Sequence, residues 1–179
     1  MVSQAVLLWL VALYSLPVCV QSQQRADTRP REQTSFGAEE KTEHPVALPA
    51  DVLQALRRDE RNQTCLAEGR SARDIPASWF VASEIDLNND RLPDLIITAK
   101  NPCLFGANIN PFWVFSNSPR GHRLVLNVST LGLDVLKTKS NGYRDIRVQA
   151  ATATTLHTTI FKYDGRKYRA YRGWAKPID

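Results

Sequence analysis

Thr159-Ile160-Phe161-Lys162-Tyr163-Asp164-Gly165-Arg166-Lys167-Tyr168-Arg169-Ala170-Tyr171 is the stretch whose reading decides the fold. Two runs of β-branched and aromatic residues, alternating with cations, flank an Asp-Gly pair. That pattern predicts a hairpin with a type I′ turn at Asp164-Gly165. Working backwards, the same grammar recurs. Trp79–Ile85, Asp94–Ala99, Phe112–Phe115, His122–Val128, Tyr143–Ala150, Thr155–Tyr163 and Arg166–Tyr171 all read as strands. Ser118-Pro119-Arg120-Gly121 and Ser140-Asn141-Gly142 supply two further turns.

One helix precedes them. Leu48-Pro49-Ala50-Asp51 opens it, because proline suits a first turn and an acid suits the positive end of the helix dipole. Val52, Leu53 and Leu56 form its apolar stripe, with Arg57, Arg58 and Asp59 expected in water. It ends near Asp59 or runs on to Glu68, with Gly69 as terminator. The expected fold class is therefore mainly β (α+β): an antiparallel sheet assembly of about seven strands with one N-terminal helix.

A two-fold internal hairpin repeat is also expected. Leu92-Pro93-Asp94-Leu95-Ile96-Ile97 aligns with Tyr143-Arg144-Asp145-Ile146-Arg147-Val148. Val114-Phe115 followed by Gly121-His122-Arg123-Leu124 aligns with Ile160-Phe161 followed by Gly165-Arg166-Lys167-Tyr168. Each unit reads as an acid-marked strand, an excursion and a hairpin.

Residues upstream of the helix carry address rather than fold. Ala5–Val20 is uncharged and rich in leucine, shorter than the roughly 20 apolar residues of a membrane span, and Val20-Gln21-Ser22 offers small residues for cleavage. Residues 1–22 are read as a cleaved signal peptide, which sends the chain to a secreted or periplasmic location without a transmembrane span. Acylation of Cys19 and an uncleaved anchor are the competing readings. Residues 23–44 have one large apolar side chain, Phe36, among mixed charges, and read as a disordered tether. The remaining residues 45–179, about 130 in number, suit a single β-rich domain. Loss of Cys19 leaves Cys65 and Cys103, which in an oxidising compartment pair most simply as a disulfide worth roughly 3–4 kcal/mol.

One motif carries chemistry. Asp86-Leu87-Asn88-Asn89-Asp90-Arg91-Leu92-Pro93-Asp94 sets side-chain oxygens at positions 1, 3, 5 and 9 and the Leu92 carbonyl at position 7, a spacing that suits a hard cation. The run resembles the calcium loop of FG-GAP or VCBS-type repeats, whose pattern is D-x-D/N-x-D-G-x-x-D running into a strand. That resemblance covers the loop and its following strand. It implies Ca2+ held by Asp86, Asn88, Asp90, Leu92 and Asp94, and calcium-stabilised extracellular β structure rather than an activity. Arg91 departs from it by occupying the glycine position, where a side chain is strained and a cation is unwelcome. Ile97 stands where an EF-hand needs glutamate. The plainer reading is an Asx-rich turn. In the aligned second unit Lys137, Lys139 and Asn141 replace the acids, while Gly142 takes the turn position.

Lys and Arg exceed Asp and Glu by 23 to 18, and the surplus is local. Lys137, Lys139, Arg144, Arg147, Lys162, Arg166, Lys167, Arg169, Arg172 and Lys176 face only Asp145 and Asp164 before the last residue, and Tyr163, Tyr168, Tyr171 and Trp174 interleave with them. Such a surface suits a polyanionic or glycan ligand or a protein partner, and equally the solvated face of a sheet. A surplus of five gives little reason to expect nucleic acid. The apolar excursion Leu104–Trp113, pinned by Cys103, is a second candidate contact, though core packing explains it as well. The candidate partner-binding residues are thus Phe105, Asn108, Trp113, Arg144, Lys162, Arg166, Lys167 and Tyr168. Asn62-Gln63-Thr64 and Asn127-Val128-Ser129 are glycosylation sequons.

His44, His122 and His157 have no serine or carboxylate placed beside them by the sequence, and no phosphate loop, G-x-S-x-G or HExxH occurs. The expected function is an exported, noncatalytic binding domain. A small secreted or periplasmic inhibitor or immunity-type protein that occludes an enzyme is the alternative. A hydrolase built on His122 or His157 beside a carboxylate is the third reading.

Overall fold

A computed structural model describes residues 32–37, 40–106 and 109–178. The expected signal peptide, residues 23–31 of the expected tether and Asn108 lie outside the described residues. The chain is mainly β, with two antiparallel sheets of five strands each and few helices. In chain order come β1 (Ser35–Gly37), β2 (Pro45–Val46), α1 (Ala50–Arg58), α2 (Glu60–Gln63), β3 (Phe80–Ile85), β4 (Asp94–Ala99), β5 (Asn110–Ser116), β6 (Arg123–Thr130), β7 (Gly132–Ser140), β8 (Tyr143–Ala151), β9 (Thr155–Tyr163) and β10 (Tyr168–Pro177). One sheet has the order β2-β3-β4-β5-β6, the other β1-β7-β8-β9-β10.

The layers follow from where the apolar side chains go. Ile85, Ile96, Phe112, Val114 and Val125 from the first sheet meet Leu133, Val135, Ile146, Val148, Tyr163 and Tyr168 from the second, forming a core between the sheets. The other face of the first sheet offers Phe80, Ala82, Leu95, Ile97, Trp113 and Phe115 to Val52 and Leu56 of α1 and to Ile75. Helix, first sheet and second sheet thus stack in three layers, and β4 and β5 are buried at every position. Phe80 meets Trp113 edge to face, ring centroids 5.6 Å apart.

Several expectations are corrected. Ten strands form among the described residues rather than about seven. The principal omission is β7, whose Leu133 and Val135 point inward with the period of two. Its second half, rich in Lys, Thr and Ser, looks like a loop in sequence. Part of the expected tether is ordered: β1 pairs with β7 in the register Phe36↔Leu133, and Phe36 is 3% exposed. A sheet edge satisfied backbone groups that local composition could not.

The helix ends at Arg58, because Asp59 is extended and its carboxylate accepts the Arg61 N–H to start α2. Asp59 is accordingly not a free surface acid. The Asp164-Gly165 turn is longer than the expected type I′. Strand β10 starts at Tyr168, with Gly165 at φ 98 and no positive φ at Asp164. The Asp164 carboxylate accepts the N–H groups of Arg166 and Lys167, both at 2.8 Å, and this Asx turn spends two more residues on the loop. Cys65 and Cys103 form a disulfide joining the end of the helical region to the β4–β5 connection.

Candidate functional site

The Asp86–Asp94 loop joins β3 to β4, and its polar side chains are used in a ladder of Asx contacts. The Asp86 carboxylate accepts from the N–H of Asn89 at 2.7 Å and of Arg91 at 3.2 Å. The Asn88 amide oxygen accepts from Asp90 N–H at 3.0 Å, and Asp90 accepts from Leu92 N–H at 2.7 Å. Asp94, wholly buried at the start of β4, accepts from Leu87 N–H at 2.8 Å and Asn117 N–H at 2.7 Å. Burial lifts the Asp94 carboxyl to about 6 against those two donors, with the Asp90 and Asp86 charges adding to the rise. Asn89 at φ 66 and Arg91 at φ 68 take the left-handed conformations that bend the chain. Arg91 therefore adopts the turn that a glycine would take more readily.

Whether these residues fit a cation depends on what remains free. The Asn88 amide nitrogen, a donor, lies 2.7 Å from Asp90 Oδ2 and 3.2 Å from the Tyr143 hydroxyl. The interior of the loop is thus bridged by N–H rather than left to converging oxygens. Among the described residues no three His, Cys, Asp or Glu side chains gather as a metal site requires. In this arrangement the loop is held by its own hydrogen bonds, and a cation would have to displace the Asn88 amide from Asp90.

Two residues complete this region without any signal in the sequence. Tyr143, at the start of β8, also reaches Ser116 at 2.8 Å and stacks on Tyr163 at 4.0 Å. Glu32 accepts the Asp86 N–H at 2.7 Å and pairs with Arg144 at 2.5 Å. Both contacts join segments far apart in sequence, so only the assembled sheets reveal them.

The candidate partner-binding residues separate into two groups. Trp113 is 0% exposed and Tyr168 4%, so neither offers a surface. Trp113 donates its indole N–H to Asp59 at 2.7 Å, and Tyr168 donates its hydroxyl to the Arg144 carbonyl at 2.7 Å. Burial pushes the Tyr168 hydroxyl well above the ordinary tyrosine range. The Arg144 guanidinium turns inward to the carbonyls of Leu136 at 3.0 Å and Val135 at 3.3 Å. These three are braces: Trp113 ties β5 to the helical segment through Asp59, and Arg144 and Tyr168 tie segments around the second sheet. Phe105, Arg166 and Lys167 are exposed, and Lys162 is half-buried. Lys162 lies 3.9 Å from the ring centroid of Tyr171.

The remaining polar candidates are likewise placed. His122 Nδ1 lies 3.0 Å from Asp51, whose carboxylate also accepts the His122 N–H at 3.0 Å. That backbone donor, before the imidazole, holds the Asp51 carboxyl below its usual range. The pair ties the first turn of α1 to the β5–β6 turn. No hydroxyl or thiol hydrogen-bonds to His122 among the described residues, so it forms a pair and not a triad. His157 is exposed on β9. Asn62 of the first sequon is wholly buried and donates to the Leu56 carbonyl at 2.7 Å. Asn127 of the second is exposed but bonded to Asp59 and Arg61.

The chain matches no family model, no curated protein and no solved structure. Among the described residues no helix is long and apolar enough to cross a membrane.

Proposed function

We propose that this chain is an exported, noncatalytic β-rich domain that binds an anionic partner through the end of its second sheet. One observation carries the reading. Arg166, Lys167, Arg169, Arg172 and Lys176 are all exposed, together with Tyr171 at 67% and Trp174 at 47%. The acid among them, Asp164, is engaged by its own turn and by Arg169 at 3.1 Å. Clustered exposed cations with so little opposing charge suit an anionic ligand better than a neutral one. The test is retention on immobilised heparin at low salt. Wild type should be retained, and Arg172→Glu with Lys176→Glu should elute early. Wild type in the flow-through would sink the reading.

Export rests on the uncharged Ala5–Val20 run and agrees with a disulfide-bearing fold. Intact mass of the exported protein should show residues 1–22 missing; their presence counts against cleavage. An inhibitor of a partner enzyme is the second reading. It is favoured by Phe105 at 39% and Ile109 at 36% exposure on the excursion that Cys103 anchors. If that reading holds, Phe105→Ala should abolish partner capture while the β10 substitutions leave it intact.

The matched strand orders, the buried Asp94 and Asp145, and the positive φ at both Arg91 and Gly142 support reading the two sheets as copies of one hairpin unit. Calcium is the competing stabiliser of the Asp86–Asp94 loop, as the FG-GAP likeness implies. It would have to displace the Asn88 amide from Asp90. A rise in melting temperature with millimolar calcium, abolished by Asp86→Ala, would establish it. No shift would leave the hydrogen-bonded ladder as the loop's support.

A further inference from the structure

The four sheet edges are finished differently. β1 and β2 are three and two residues long, too short to template another strand. On β6, Asn127 and Ser129 are gripped by the Arg61 guanidinium at 2.7 and 2.6 Å. β10 is ten residues long, is the last strand of its sheet, and is exposed at every position after Tyr168. Nothing pairs with its outer side among the described residues.

The geometry of that edge is defined by its inner partner. The Ile178 N–H donates to the Thr154 carbonyl at 2.9 Å. Antiparallel alternation then turns the amides of Lys176, Trp174 and Arg172 toward β9, and those of Ala175 and Gly173 outward. Arg172, Trp174 and Lys176 share one face of the strand. On the other face, a groove of about 440 Å³ separates β10 from β6, lined by Leu124, Leu126, Phe161, Tyr168, Lys167 and Arg169. Leu124 is 41% exposed in it. Arg123 bridges the sheets beside the groove by donating to the Arg166 carbonyl at 2.5 Å and the Tyr163 hydroxyl at 2.6 Å.

We propose that β10 is a docking edge for an extended acidic segment of a partner polypeptide, which adds a sixth strand to the β1-β7-β8-β9-β10 sheet. The proposal rests on the anionic-partner reading above and names that partner's chemistry. Charge selects the occupant: Arg169, Arg172 and Lys176 lie on the strand, and no acid occurs from Gly165 to Pro177. A second copy pairing antiparallel through β10 would set these cations against themselves, which is destabilising. An incoming strand has alternate side chains on its two faces. Acidic residues meet Arg172 and Lys176, and apolar residues meet the groove beside Leu124.

The test uses the full chain and two synthetic ten-residue peptides. One alternates glutamate with valine; the other has proline for each valine, keeping the charge while losing alternate backbone donors. Heparin is the third arm. Wild type should bind the valine peptide at least ten-fold more tightly than the proline peptide. The Gly173 and Ala175 amides should exchange at least ten-fold more slowly when it is bound, and Arg172→Glu with Lys176→Glu should weaken it at least ten-fold. Equal affinity for the two peptides, or unprotected Gly173 and Ala175 amides, overturns strand addition. Heparin retention in that case leaves the broader anionic-partner reading standing; loss of both removes both. A dimer joined through β10 in sedimentation would also overturn the acidic-peptide assignment.

Discussion

The two sheets share a strand order and differ in what covers them. In the β2-β3-β4-β5-β6 sheet, both faces are occupied, by α1 on one side and by the second sheet on the other. Its central strands β4 and β5 are buried throughout. In the β1-β7-β8-β9-β10 sheet one face packs, the other meets water, and β10 is exposed for nine of its ten residues. The difference separates stability from contact. A middle layer can only be a core, whereas an outer layer can carry cations and aromatic rings at no cost in desolvation.

The sharpest way to break that comparison is to truncate one tryptophan in each sheet. Trp113→Ala removes a fully buried indole, its edge-to-face contact with Phe80 and the donor to Asp59. It should cost about 3–5 kcal/mol in urea unfolding, as large aromatic deletions in cores do. Trp174→Ala, at an exposed position on β10, should stay within about 0.5 kcal/mol and instead weaken heparin retention. Comparable losses for the two would show that the outer face is covered after all.

The disulfide comes next in size and belongs to the covered side. Cys65 and Cys103 close a separation of 38 residues, with Cα atoms 5.8 Å apart. Cys65→Ser with Cys103→Ser should lower unfolding free energy by about 3–4 kcal/mol. Heparin retention by β10 should be unchanged in the folded fraction. A coupled loss of binding would mean the two layers are not independent.

That division also governs what could be read in the sequence. The continuous apolar run through Leu95-Ile96-Ile97 and Phe112-Trp113-Val114-Phe115 marked β4 and β5 unmistakably, because a doubly covered strand needs no alternation. The Cys65–Cys103 pair was legible from a count of cysteines and a choice of compartment. β7 was not, because Lys137, Thr138 and Lys139 resemble a loop, and the strand is defined by pairing of Gly132–Asp134 with β1 and of Gly132–Val135 and Lys139–Ser140 with β8. β1 was lost for the same reason, since Phe36 finds its cover on residues nearly a hundred positions away. At the candidate site, the basic run of residues 162–176 was visible. Which side chains of the wider run from Lys137 to Lys176 point inward was not: Arg144 and Tyr168 meet groups brought to them by other segments. The Asp86–Asp94 pattern was legible as a loop, but its use as an Asx ladder depends on hydrogen bonds that spacing alone leaves open.

Two turns, one beside each sheet, offer a smaller and cleaner test. Arg91 at φ 68 and Gly142 at φ 83 hold the same kind of left-handed position in the two sheets. A Cβ at Gly142 would meet nothing within 4 Å, so any penalty there is conformational. Gly142→Ala should destabilise by about 1 kcal/mol, and Arg91→Gly should gain about as much. If Arg91→Gly destabilises, the arginine side chain holds the loop by a contact outweighing its strain.

The least disruptive comparison titrates one aspartate in each sheet, by the side-chain carboxyl signals in NMR. Asp94 lies in the covered sheet, and burial lifts its carboxyl from 3.8 to about 6. Its folded state prefers the proton, so the associated stability is complete below 3.8 and lost as pH rises through about 6. Asp164 sits at the surface in the β9–β10 turn of the other sheet, where the N–H groups of Lys167 and Arg166, then the Arg169 side chain, lower it to about 2. Here the folded state prefers the ionised form, so the contribution is complete above 3.8 and lost as pH falls through about 2. The Arg166 and Lys167 amide signals should follow that low midpoint, and Asp164→Asn should abolish the response. A midpoint of 3.8 for Asp164 would mean that its turn is open in solution, leaving the start of β10 without the carboxylate that accepts the Arg166 and Lys167 N–H groups.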